Sequence, residues 1–405
     1  MDHHARPRRA LVVGLGIAGM ATALRLRQIG WEPVVVERAP ARRSGGYFIM
    51  LFGTGAASAA RLGVLDAIGN RNSADVRSYS VNRAGRRAPG MNPASLGPNP
   101  PRLLLRGDAE RALFDALPGD VEIRYSTVPT RIEQGADAAE VDLRDTAAGT
   151  TATERFDLVV GADGMRSTVR RLAFGPGDHL HPLNYMIGVT LLDRPLTGFG
   201  PAEGVILAEP GRSAWTFPFK DHAPSLLFSY RTDDVDAEFG RAPIESIRAA
   251  FGPRPPGPIL DELLTRFEEA DEHLFDSVNQ VRMPRWHDGR VVLVGDAAWC
   301  VTLYAGMGAS SGIAGGELLG TMLERHDRDV PGALREWEAR LRPFIATEQE
   351  SAFTTRRLFT PHDRREFIAR AAMMKLMGSP VLGKVLGRRA QPPGMEHKAI
   401  DIAAV

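Results

Sequence analysis

Cysteine is almost missing from this chain of 405 residues. Cys300 stands alone, which excludes an intrachain disulfide and any multi-cysteine metal site. Lysine is nearly as scarce: Lys220, Lys375, Lys384 and Lys398 are the only four, so arginine carries the positive charge. Those arginines are interleaved with Asp and Glu and the net charge is +1, so no basic stripe for nucleic acid forms. No apolar run is long enough to cross a bilayer. Residues 10–24, after Arg6, Arg8 and Arg9, imitate a secretion signal, but Gly14, Gly16 and Gly19 break that run at fixed spacing. One cysteine and no export signal together predict a cytoplasmic protein. The ten histidines are scattered, so no metal site is expected, and no Ser-His-Asp arrangement stands out.

What is present is enough apolar material, 43% of residues, for two domains or one large domain with an insertion. The opening reads β-α-β. Ala10-Leu11-Val12-Val13 is a short buried strand, Ile17 to Ile29 is a helix closed by Gly30, and Val34-Val35-Val36 is a second buried strand ending at Glu37. A helix over 54–62, a strand near 76–83 and a turn at Ala84-Gly85 follow. Residues 89–101 hold five prolines and form a surface connection. Leu103-Leu104-Leu105 leads into Arg106 and a helix ending near Leu117. Strands are expected around 130–134, 140–145 and 156–160.

From about 175 to 284 the texture changes. Strands over 205–208, 213–219 and 225–231 show alternation, with Trp215, Phe217 and Phe219, then Leu226, Phe228 and Tyr230, on a half-buried antiparallel sheet. A helix over 261–270, a buried strand at 291–294 and helices over 310–326, 331–358 and 363–377 complete the chain, with a polar tail. The fold class is α/β: a Rossmann-like unit from 1–75, 102–174 and 285–360, an inserted antiparallel sheet from 76–101 and 175–284, and a C-terminal helical extension over 361–405.

Gly14-Leu15-Gly16-Ile17-Ala18-Gly19 is GxGxxG between a strand and a helix. The first glycine permits the tight turn, the second lets a pyrophosphate approach the backbone, and the third allows close helix–strand packing. Ile17 and Ala18 open the helix, whose free N–H groups favour phosphate. Glu37 ends the second strand, where a carboxylate accepts hydrogen bonds from ribose hydroxyls. On this motif alone the ligand is NAD, NADP or FAD.

Two further segments follow buried strands: Gly161-Ala162-Asp163-Gly164-Met165-Arg166-Ser167 and Gly295-Asp296-Ala297-Ala298. With these, the chain over roughly 8–360 resembles the FAD-dependent aromatic hydroxylases typified by para-hydroxybenzoate hydroxylase, and most of all the branch of tetracycline-modifying flavin hydroxylases. The family carries GxGxxG with a following Glu-Arg (here Glu37-Arg38), an inner Asp-Gly and a late Gly-Asp, in this order. The resemblance implies that Gly295-Asp296 sets a carboxylate on FAD hydroxyls. It implies that Gly306, Met307 and Gly308 present backbone N–H groups to the pyrimidine side of the flavin ring. Asp163 would contact the flavin side and help a nicotinamide dock, and Arg106 would cross above the FAD phosphates. Arg38 and Arg43 would face the adenosine or the flavin, or else make solvent ion pairs. The family's proline between the Gly-Asp motif and the Gly-x-Gly is absent: this chain has Trp299-Cys300-Val301-Thr302-Leu303-Tyr304 there.

The activity implied is that of a single-component monooxygenase. NAD(P)H, bound transiently, reduces FAD; O2 adds at the flavin C4a; and the hydroperoxide gives one oxygen atom to an apolar, aromatic or polyketide-like small molecule in natural-product biosynthesis. Epoxidation and Baeyer–Villiger insertion stay open beside hydroxylation. Trp215, Phe217, Phe228 and Tyr230 are candidates to line the substrate pocket, against a reading as ordinary sheet packing, together with Tyr47, Phe48 and Met50. Cys300 reads as a packed residue rather than a nucleophile. No catalytic residue is singled out. The rival reading keeps FAD as structure, in a non-redox cyclase or binding scaffold, and the resemblance implies a monomer or homodimer.

Overall fold

The computed structural model describes residues 6–42, 45–73, 75–90, 100–177, 179–327, 329–377 and 395–404. Arg43 lies outside them. Its centre is a six-stranded sheet in the order His287–Asp288, Val291–Leu293, Leu158–Gly161, Arg9–Val13, Glu32–Val36, Glu122–Arg124. All neighbours run parallel except the first pair. The three central strands are covered on both faces, which is why they read as unbroken Val, Leu and Ala rather than as an alternation.

The helix Ile17–Gln28 follows the first strand through a turn that only glycine can make. Gly14 has φ +107°, and a Cβ there would sit 2.4 Å from the Ala162 carbonyl oxygen. A second helix, Gly308–Arg325, runs parallel beside it. Gly312, Gly316 and Gly320 meet Ala18, Thr22 and Arg25 in turn, and a Cβ on Gly316 would lie 2.6 Å from Thr22 Oγ1. Small residues every four positions thus bring the two backbones together and place both helix starts at one edge of the sheet.

A seven-stranded sheet stands over that edge, in the order His273–Val281, Leu180–Leu191, Ser225–Arg231, Arg212–Phe217, Glu203–Glu209, Arg77–Val81, Arg87–Pro89. Its outer face packs on the helices Pro243–Phe251 and Gly257–Glu268 through Phe228, Phe251, Leu263 and Phe267. A two-stranded ribbon, Phe48–Leu51 with Arg102–Leu105, lies between the sheets, and a three-stranded antiparallel sheet spans 127–156.

Three expectations need correction. The single strand near 156–160 is two strands, Thr151–Phe156 and Leu158–Gly161, in different sheets. The chain changes sheet at Asp157, whose carboxylate accepts the Arg9 N–H at 2.9 Å. The strands Leu180–Leu191 and His273–Val281 were not expected at all. Finally, the end of the chain is not a free polar tail: Met395–Lys398 is a helical turn, and Lys398, Ile402 and Ala403 are buried.

Candidate active site

Between the parallel sheet and the seven-stranded sheet lie two contiguous cavities, of 280 Å³ and 240 Å³, that share Gly16, Arg106, Ala162 and Gly164. Together they form one elongated cleft. Its narrow, polar end holds Gly14, Glu37, Arg38, Arg42 and Asp163. Its broad end holds Tyr47, Phe217, Leu227, Asp296, Gly306 and Gly308.

The glycines shape this cleft. Gly19 is needed for packing, since a Cβ would come 2.0 Å from the Gly14 carbonyl oxygen, whereas nothing stands within 4 Å of a Cβ on Gly16. Gly16 therefore faces open cleft, at a helix start with no side-chain cap, so the first N–H groups are available to a ligand. Glu37 is already oriented: Oε2 accepts the Leu15 N–H at 3.0 Å and Oε1 the Ala39 N–H at 2.9 Å. Each oxygen keeps a lone pair for a hydroxyl donor.

At the broad end, Asp296 is exposed into the cleft while Gly295 and Ala297 beside it are buried. Removal from bulk water pushes its carboxyl above the ordinary aspartate range, and the Arg106 guanidinium pulls the other way. Arg106 stands where the two ends meet, held by Glu110 at 2.8 Å and by the Tyr47 hydroxyl at 3.2 Å. After Asp296 the chain turns through Thr302 at φ +75°, a 3-10 turn over Leu303–Ala305 and Gly306 at φ +68°. This irregular turn stands where the family's proline is missing. The Gly306 N–H closes on Leu303 O at 2.9 Å, so the groups left to face the cleft belong to the uncapped start of the helix Gly308–Arg325. The Met307 side chain is buried away from the cleft.

Several residues stand elsewhere than the sequence suggested. Asp163 belongs to the narrow end, and its carboxylate accepts the Thr168 N–H at 2.6 Å and the Val169 N–H at 3.1 Å. It also anchors the start of the helix Thr168–Phe174. Of the aromatic candidates, Tyr47 and Phe217 line the broad cavity, as do Phe48 and Met50. Trp215 is one layer back, packed on Phe359 at 4.7 Å with its indole N–H on the Phe359 carbonyl. Phe228 and Tyr230 point the other way. The register pairs Trp215 with Leu227 and Phe217 with Ser225, while Phe228 opposes Ala214 and Tyr230 opposes Arg212. The two aromatic stripes therefore occupy opposite faces of one sheet.

Residues the sequence did not single out complete the wall: Ile49, Ile187, Val189, Leu227, Leu303 and Phe359. Alternation in 225–231 pointed to Leu227 as much as to Phe228; only the register says which face is inward. Arg170 was also missed. Its buried guanidinium ties Met165 O at 2.7 Å to Ala297 O at 2.8 Å, joining the two loops that bound the cleft. Cys300 lines the cavity, but burial, and then the nearby Asp296 carboxylate, push its thiol well above the usual range. A packed, protonated cysteine results.

A cleft with phosphate-sized access at Gly16, a fixed carboxylate at Glu37 and a broad end beside a second helix start fits an elongated dinucleotide with a planar end group. Over residues 8–242 the sequence matches the FAD binding domain family. The chain belongs to this family of FAD-dependent monooxygenases. It is 27% identical over 350 residues to a flavin-dependent monooxygenase from an unknown prokaryotic organism, covering 84% of this chain and 87% of that protein. Its fold is similar to that of the tetracycline destructase Tet(55), with TM-score 0.75, 24% identity and coverage of 97% of this chain and 100% of the other. It is similar also to Klebsiella pneumoniae HpxO complexed with FAD and uric acid, with TM-score 0.74, 20% identity and coverage of 96% and 97%. As a member of this family the enzyme is an FAD-binding flavoprotein. Among the described residues no helix is long and apolar enough to cross a membrane.

Proposed function

We propose that this enzyme uses NAD(P)H and O2 to hydroxylate an uncharged, apolar molecule of aromatic or polyketide type. The observation that carries the reading is the wall of the broad cavity. Ile187, Val189, Leu227, Phe217 and Phe359 face it, and among the described residues Arg106 and Asp296 are its only charged lining. A charged group placed against that apolar wall would pay desolvation. Bound FAD supplies the redox chemistry, taking electrons from NAD(P)H and passing them to O2. The protein's own part is to bind and orient. Gly16 and the start of the helix Ile17–Gln28 receive the pyrophosphate, Glu37 a ribose and Asp296 the hydroxyls nearer the ring. The apolar wall keeps water from the reacting atoms. Similarity to a protein named for destroying tetracycline supports a polycyclic substrate.

This reading carries a division of labour. Residues 1–75, 102–174 and 285–360 hold the cofactor, 76–101 and 175–284 the substrate, and 361–405 extend the fold. The separate six- and seven-stranded sheets support that division. The test is anaerobic reduction of the yellow protein by NADPH or NADH, followed by O2 in the presence of polycyclic phenols. Bleaching followed by an oxygenated product, detected by its added mass, is expected. A flavin that stays oxidised with every substrate tried would overturn the proposal.

A further inference from the structure

The end of the chain reaches the back of the flavin loop. Residues 395–404 cross the start of the helix Gly53–Arg61 so closely that a Cβ on Gly53 would fall 2.7 Å from the Ala399 carbonyl oxygen. Polar contacts and burial hold the segment there. The Ile402 N–H donates to Thr54 Oγ1 at 3.3 Å, Asp401 pairs with Arg61 at 2.7 Å, Arg340 Nε donates to Ile402 O at 3.0 Å, and Ala403 is buried.

From this segment Lys398 turns inward. Its ammonium donates to the carbonyl of Ala305, lies 5.1 Å from the centre of the Phe52 ring and stands 3.6 Å from Glu348 Oε2. Glu348 is fully buried on the helix Val330–Phe359, and its other oxygen is 3.0 Å from His397 Nδ1. A lysine and a glutamate this deep cost desolvation, which their pairing offsets without making them a source of stability. Their placement is informative instead. Ala305 is itself buried, so its carbonyl depends on a protein donor.

The Ala305–Gly306 peptide is thus gripped at both ends: its N–H by Leu303 O at 2.9 Å and its C=O by Lys398. The grip falls between Thr302 at φ +75° and Gly306 at φ +68°. A β-branched residue at positive φ persists only where its surroundings over-determine it. Immediately beyond, Gly306 and Gly308 line the ring end of the cleft.

We propose that residues 395–404 are a strap that holds the flavin loop in its FAD-binding shape, with Lys398 as the positioning residue. The strap never touches the cleft: it acts through the Ala305–Gly306 peptide. The inference rests on FAD occupying this cleft and not on the oxygenation reading, so it stands or falls separately from that reading.

Binding linkage is reciprocal: if the docked strap favours FAD, FAD favours the docked strap by the same factor. Hydrogen exchange is therefore measured on the unaltered full chain, stripped of FAD and then reloaded. Amides of 396–404 are expected to exchange about tenfold more slowly with FAD bound, within the usual range of such coupling, while those of Pro243–Phe251 on the far side of the second sheet stay unchanged. Slowing confined to 303–309, with 396–404 unaffected, overturns the proposal. The second test is the paired variant Glu348→Gln/Lys398→Met, which removes both buried charges at once and leaves neither stranded. Its FAD dissociation constant, read from flavin fluorescence quenching on apoprotein shown by circular dichroism to be folded, is expected to rise about tenfold. Wild-type FAD affinity in this variant also overturns the proposal.

Discussion

The rings of Phe48 and Phe217 are stacked, 4.0 Å between centroids and 11° apart. Phe48 comes from the ribbon over the cofactor side and Phe217 from the end of a strand in the seven-stranded sheet. The Phe48 N–H also reaches Ser225 Oγ at 3.4 Å, so one aromatic pair joins the two sides and walls the broad cavity. Phe217→Ala removes the half of the stack that belongs to the second sheet. KM for the organic substrate should rise about tenfold, equivalent to about 1.4 kcal/mol, with FAD affinity unchanged. Steady-state kinetics beside an FAD titration check this. A loss of FAD affinity with unaltered KM would place Phe217 against the cofactor instead.

Tyr230 should behave in the opposite sense. Its hydroxyl donates to Glu238 Oε2 at 2.8 Å, under the outer helices and away from the cleft. Burial, then the Glu238 carboxylate, raise its pKa, so it stays a donor through the working pH range. Tyr230→Phe strips a partner from a buried carboxylate and should cost about 1–3 kcal/mol of stability, with kcat and KM unmoved. Chemical denaturation and kinetics on one preparation decide it.

The contrast between Phe217 and Tyr230 shows what a sequence can and cannot disclose. The β-α-β opening, the glycine turn and Glu37 were legible because strand, turn and helix lie within thirty residues of one another and their chemistry is local. The period of two in 213–231 was legible as well, but a period names two faces without saying which is inward. Strand Leu180–Leu191 was hidden for another reason. It contains Pro182, shifts register between Pro182 and Met186, and carries Asn184 at φ +61°. Its Gly188 leaves room for Ile247, whose Cδ1 would stand 2.7 Å from a Cβ there. Tertiary pairing, not propensity, makes it a strand. The docked end of the chain was hidden because it is too short to show a period, and Lys398 is buried by partners distant in sequence.

Cys300 offers a chemical test. With its thiol held well above the usual range by burial and by Asp296, almost none is thiolate at pH 8, and thiolate is the reactive form. Iodoacetamide at pH 8 should leave the native protein unlabelled over a time that fully labels it in denaturant. Raising the pH should speed native labelling, as more of the thiol becomes thiolate. Mass spectrometry reads the outcome; rapid stoichiometric labelling of native protein at pH 8 would contradict the assignment.

Gly316→Ala tests the parallel helix pair. Alanine gains roughly 1 kcal/mol in helix propensity over glycine. Its Cβ, however, would meet Thr22 Oγ1 at 2.6 Å and the Thr22 backbone nitrogen at 2.9 Å, and backbone cannot rotate aside. Overpacking of this kind costs roughly 1–3 kcal/mol, so net destabilisation is expected. FAD affinity should fall with it, because separating the helices moves both of their starts. Calorimetry with and without added FAD measures the two effects together.

That helix pair has an electrical side. Two parallel dipoles lying side by side repel each other, and here both positive ends meet at one cleft. Neither helix carries an acidic residue in its own first turn, so neither answers from within itself the charge near half a proton at its start. On the reading proposed above, the FAD pyrophosphate would bring negative charge to the start of the first of these helices. On that reading the cofactor would be more than the agent of the chemistry: its phosphates would offset part of a repulsion that the fold creates by bringing glycines 312, 316 and 320 against the first helix.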